Sequence, residues 1–166
     1  VSMGDANSLT GYPDHLLAND GHGRVTDVSA TAGPWFAEAR CGRGVACGDI
    51  DNDGKLDLLV AHLNDAPVLL RNTTALPGLH WLLLQLVGRA SNRDGIGARV
   101  RCRLPDRTIL RERTSAGSYC SGHDPRLHFG LGTNAVVSEL EIHWPSGKVQ
   151  KLASVQADRI LRVEEP

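Results

Sequence analysis

The sequence predicts an all-β protein, and three observations carry that prediction. Its 166 residues include 18 glycines and 8 prolines, residues that punctuate a chain with turns. Its apolar runs are short, of strand rather than helix length. In the second half Ala98, Val100, Cys102 and Leu104 alternate with Arg99, Arg101 and Arg103, the period-two pattern of a half-buried strand. A formal net charge of -1 argues against an overall electrostatic grip on nucleic acid or anionic lipid. No stretch approaches the roughly 18 consecutive apolar residues that would span a bilayer. The opening VSMGDANSLTG has neither a basic start nor an apolar stretch, so it does not read as a signal peptide.

The elements follow in order. Residues 14–30, DHLLANDGHGRVTDVSA, read as two strands around an Asn-Asp-Gly-His-Gly turn. Residues 31–47 form a Gly/Pro-containing connection with Trp35 and Phe36, leading into a short strand from Gly44 to Cys47. Leu58 to Ala61 is an apolar run short enough for a buried strand, and Ala66 to Asn72 adds another after the Asn64-Asp65 turn. Residues 73–79, with Pro77-Gly78, mark the boundary between two units, 1–72 and 80–166.

In the second unit Trp81–Val87, Ala98–Leu104, Thr108–Thr114 and Arg126–Phe129 read as strands. In Val136–Trp144 the residues Val136, Leu140, Ile142 and Trp144 face one way, and Glu139, Glu141 and His143 the other. Pro145-Ser146-Gly147 turns into Lys148–Leu152, and Arg159–Val163 is the last strand. Strands this close, joined by tight turns, predict an antiparallel β-sandwich or barrel.

The densest chemistry lies in Gly48–Val60, GDIDNDGKLDLLV, where Asp49, Asp51, Asp53 and Asp57 surround Gly54. Carboxylates this close repel one another. A hard dication offsets them, since calcium takes six to eight oxygens at about 2.3–2.6 Å. The expected ligands are the side chains of Asp49, Asp51, Asp53 and Asp57 and the carbonyl of Lys55, with Gly54 supplying a sharp turn. An EF-hand would need a glutamate at its twelfth position, and counting from Asp49 that place holds Val60. The expectation is therefore a strand-loop-strand calcium site. The plain alternative is a polar turn without metal.

The run GRGVACGDIDNDGKLDLLVAHLNDAPVLLRN resembles an FG-GAP/VCBS-type repeat, the calcium-binding blade of β-propellers. The resemblance implies that residues 1–72 are a partial propeller region. Propellers typically close with four to eight blades, so further blades, or self-association, are expected to cover the open edges. The second unit resembles the ASPIC/UnbV domain of cartilage acidic protein-like proteins, through HWLLLQLVG at 80–88, SNRDGIGARVR at 91–101, DPRLHFGLG at 124–132 and EIHWPSGKVQ at 141–150. Where that family is expected to have Gly-Ser-Gly-Tyr-x-Ser-Gln, this chain has Ala116-Gly-Ser-Tyr-Cys-Ser-Gly122.

The function expected from this reading is a non-catalytic, calcium-binding module for adhesion or recognition of a protein or carbohydrate ligand, located outside the cytoplasm or in the periplasm. One alternative is an accessory or enzymatic component of a biosynthetic pathway, which would use Tyr119, Cys120, His123 and Asp124. Another is carbohydrate or glycosaminoglycan binding through the Arg-lined face. His128, between Leu127 and Phe129, reads as a packed, hydrogen-bonded strand residue. Gly42, Gly44 and Gly48 do not form a dinucleotide loop, because no helix follows them. Four cysteines fit no zinc spacing. The preferred disulfides are Cys41 with Cys47 and Cys102 with Cys120, and four buried thiols are the alternative.

Overall fold

A computed structural model describes residues 11–166; the first ten, on which the reading of the N-terminus falls, lie outside the described residues. Among the described residues helix is confined to one turn, α1 (Ser29–Ala32), and a 3-10 turn (Pro34–Ala37). No helix among the described residues is long and apolar enough to cross a membrane.

The first half is built from small antiparallel sheets. Strand β1 (Tyr12–Pro13) is followed by the hairpin of β2 (Leu17–Asn19) and β3 (Val25–Asp27), and β4 (Ala39–Arg40) returns to pair with β1. The predicted polar turn closes the hairpin: the Asp20 carboxylate accepts the amides of His22 and Arg24, and Gly21 and Gly23 take positive φ. Strands β5 (Gly42–Gly48), β6 (Asp57–His62) and β7 (Val68–Leu70) then make a three-stranded sheet in the order β5-β6-β7.

The second half is a two-layer sandwich. Its strands are β8 (His80–Val87), β9 (Arg99–Arg103), β10 (Thr108–Glu112), β11 (Leu127–Gly132), β12 (Val136–His143), β13 (Val149–Gln156) and β14 (Arg159–Glu164). They form one sheet ordered β10-β9-β12-β13 and another ordered β11-β8-β14. Between the layers lie Leu82, Leu84, Val100, Cys102, Phe129, Leu131, Leu140 and Ile142, all fully buried. The alternation read in β9 holds, with Val100 and Cys102 inside and the three arginines outside.

Three expectations are corrected. Of the expected sandwich or barrel the structure is the sandwich, with open sheets, but its strands are not all antiparallel: β14 runs parallel to β8, with Arg159 opposite Leu82 and Glu164 opposite Val87. The chain changes layers after β13, and the Asp158 carboxylate bonds His80 Nδ1 at 2.7 Å and the Trp81 amide at 3.2 Å. That pins the start of β14 beside the start of β8, so both strands leave in one direction. On β12 it is Val137 that is buried, while Val136 is exposed. Ser154, with φ of 54°, interrupts the pleat of the paired strand β13 there.

The third correction is that all four cysteines are free thiols. Cys41 and Cys47 lie six positions apart along extended chain, a span of about 20 Å at roughly 3.3 Å per residue, whereas bridged cysteines need Cα atoms within ~7 Å. Cys102 sits in the sandwich core, where burial pushes its thiol up to about 11, and Cys120 lies on an exposed loop.

The end of the chain is locked by Glu165, which is 1 % exposed. Its carboxylate accepts the amides of Arg89 and Ser91 at 2.7 Å each and the hydroxyls of Ser91 and Ser146. Burial pushes its acidity toward a weaker acid, but these donors outweigh that and bring it down to about 2, from an ordinary 4.5. A folded value below the ordinary one contributes stability that is complete above about pH 4.5 and lost as pH falls toward 2. Urea unfolding at a series of acidic pH values should therefore show a steeper loss of stability for the unmodified chain than for Glu165→Gln. Identical slopes would contradict this role.

Candidate metal centre

Strands β5 and β6 are adjacent and antiparallel, with Gly48 opposite Asp57, so residues 49–56 form the loop that joins them. Asp49 and Asp57 flank the mouth of this hairpin and are 0 % and 3 % exposed. Buried carboxylates need partners, and the loop backbone supplies them. Asp49 accepts the amides of Asp53 at 3.0 Å and Gly54 at 2.8 Å. Asp57 accepts those of Ile50 at 3.1 Å and Asn72 at 2.8 Å. Folding the loop over Asp49 requires left-handed backbone at Asn52 (φ 61°) and Gly54 (φ 88°). Gly54 has a second reason to lack a side chain: a Cβ there would overlap the Trp81 indole.

Of the five residues expected to bind metal, three converge. One carboxylate oxygen each from Asp49, Asp51 and Asp57 lies within 4.8 Å of the others. Asp53 and Lys55 are engaged with each other. The Lys55 ammonium approaches the Asp53 carboxylate at 2.8 Å and the Lys55 amide donates to it at 2.9 Å. These bonds from Lys55, side chain first, hold the Asp53 carboxyl below its usual range. Asp51 also pairs with Arg71.

The donor set fits a hard dication. Two oxygens on one calcium at about 2.3–2.6 Å stand at most ~5 Å apart, a limit the trio meets. Each carboxylate offers about four lone-pair sites, so the backbone amides leave acceptor capacity on Asp49 and Asp57. An open cleft of about 400 Å³ borders two of the three, Asp49 and Asp57, and is lined also by Cys47, Gly48, Leu59 and Arg126.

Residues of the second half reach this loop, and sequence reasoning missed them. Arg126 donates to the Asp49 carbonyl at 2.7 Å and to the Asn52 side chain at 2.6 Å. His128, in its predicted role as a hydrogen-bonded strand residue, has Nε2 2.8 Å from the Gly54 carbonyl. The Asp124 amide donates to the Cys47 carbonyl at 2.9 Å. Burial pushes the Asp124 carboxyl up, and the Arg126 guanidinium against it draws it below the usual range. No local periodicity could have flagged these contacts, because their partners lie more than 70 residues apart.

The residues considered for catalysis do not converge in a pocket. Tyr119 is 71 % exposed, and Cys120 is exposed with φ of 49°. His123 Nδ1 lies 3.2 Å from the Cys47 amide and accepts from it, while Asp124 is taken by Arg126. Arginines of the Arg-lined face are paired with carboxylates. Glu141, 6 % exposed, meets Lys151 at 2.9 Å, His143 at 2.7 Å and Arg101 at 3.5 Å, and Arg103 meets Glu139 at 3.5 Å. The bonds from Lys151 and then His143 bring Glu141 down to about 2. A polyanion would have to compete with these carboxylates for the arginines.

Residues 88–166 match the family described as ASPIC and UnbV, while no curated protein matches the chain. The matched segment begins one residue after β8, although β8 is the central strand of its sheet.

Proposed function

With residues 88–166 forming an ASPIC/UnbV domain, we propose that the chain is a non-catalytic, calcium-stabilised β module for adhesion or ligand recognition outside the cytoplasm. Residues preceding the domain are read as an FG-GAP/VCBS-type repeat. The observation that supports this best is the convergence of Asp49, Asp51 and Asp57 at the mouth of one hairpin, two of them buried. Calcium would draw the three carboxylates together and hold β5 to β6 at their loop end. The face of this sheet that carries Leu59 and Leu69, 45 % and 52 % exposed, is where further blades or a second copy of the chain would pack.

Binding to the folded chain alone stabilises it by mass action. Extracellular calcium modules bind with dissociation constants of ~10⁻⁴–10⁻³ M. At about 10 mM calcium the added stability is therefore expected to be about 1.4–2.7 kcal/mol. Thermal unfolding with calcium against EDTA should show the melting temperature rise accordingly. Superimposable melting curves, with no metal found by elemental analysis, would overturn the reading.

A further inference from the structure

Among the side chains of the opposite half that reach the acidic loop, Arg126 makes two hydrogen bonds to it. Arg126 stands one residue before β11. Its guanidinium is oriented by Asp124, whose carboxylate takes Nε at 3.0 Å and Nη2 at 2.5 Å. Two further donors go to the loop, Nη2 to the Asp49 carbonyl and Nη1 to the Asn52 side chain. Arg126 thus holds Asp49 by its peptide oxygen and leaves the Asp49 carboxylate to the trio. Trp81 backs the loop at Gly54, and His128 contacts the Gly54 carbonyl. Arg126 and Asp124 are half-buried, with side chains 20 % and 15 % exposed, so the pair is partly shielded from water and salt.

We propose that Arg126, oriented by Asp124, is a positioning residue for the metal loop, and that through it ion binding in the first half tightens attachment to the ASPIC/UnbV sandwich. This rests on the calcium reading above. Residues that orient metal ligands from behind typically cost about 10–100-fold in metal affinity when replaced. Coupling between the two halves is reciprocal: whatever the sandwich contributes to ion binding, the ion returns to the junction.

The test is isothermal titration of the full chain with calcium alone, paired with hydrogen exchange at the Asp124 amide, which bonds the Cys47 carbonyl across the junction. Arg126→Ala and Asp124→Asn should each bind calcium about 10–100-fold more weakly, with Arg126→Lys between them and the unmodified chain. Calcium should protect the Asp124 amide in the unmodified chain and fail to do so in Arg126→Ala. A purely structural role would lower the melting temperature and leave affinity unchanged, and equal affinity in the variants overturns the proposal while calcium binding stands. Absence of binding to the unmodified chain removes the calcium reading and this proposal together. Should Arg126→Ala fail to fold, Asn52→Gly decides. Glycine adopts the left-handed backbone of that exposed position freely and removes only the Nη1 acceptor, so weaker binding supports the proposal and unchanged binding overturns it.

Discussion

Asp49→Ala is expected to damage the protein twice. Without metal it strands the part-buried amide of Asp53 and the buried amide of Gly54, which have the Asp49 carboxylate as their acceptor. Buried donors left unmet cost about 1–3 kcal/mol. With calcium present, the variant should also lose the ligand-dependent increment entirely. Urea unfolding in EDTA and in calcium separates the two losses. A variant that keeps the full calcium-dependent rise would show that the ion, if bound, sits elsewhere. Asp53→Asn is expected to be milder than the sequence alone implies, because Asp53 faces Lys55 rather than the trio.

The largest effect on the fold itself is expected from Phe129→Ala. Phe129 is 0 % exposed and sits on β11 opposite Leu82 of β8, within the core shared by both layers of the sandwich. Truncating a buried phenylalanine removes its transfer free energy and leaves a cavity, at about 3–5 kcal/mol. A domain's whole margin is about 5–15 kcal/mol, so the urea midpoint should fall steeply. A loss under about 1 kcal/mol, the range of volume-conserving swaps, would mean that the two layers do not close over this ring.

What was legible in the sequence follows from what short-range pattern encodes. Alternation in Arg99–Arg103 announced both faces of β9, and the Asn-Asp-Gly-His-Gly segment announced a hairpin. Both signals depend only on residues a few positions apart. The direction of β14 beside β8 depends on Asp158 meeting His80 and Trp81 across 77–78 positions, and no local rule contains that. The same limit applies to the candidate site. The spacing of aspartates pointed to the loop, but their even rhythm could not say that Asp53 would turn to Lys55. Nor could it say that Arg126 would enter from another sheet. The cysteine pairing failed for a simpler reason, since an even count of thiols says nothing of the extended strand that separates Cys41 from Cys47.

The central claim is that a divalent ion sits among Asp49, Asp51 and Asp57. Crystals grown in calcium, with anomalous differences collected at a long wavelength, address it most directly. The account predicts a peak at about 2.3–2.6 Å from a carboxylate oxygen of each of the three. Well-ordered carboxylates with no anomalous peak between them, or a peak only at other acidic residues, would contradict it.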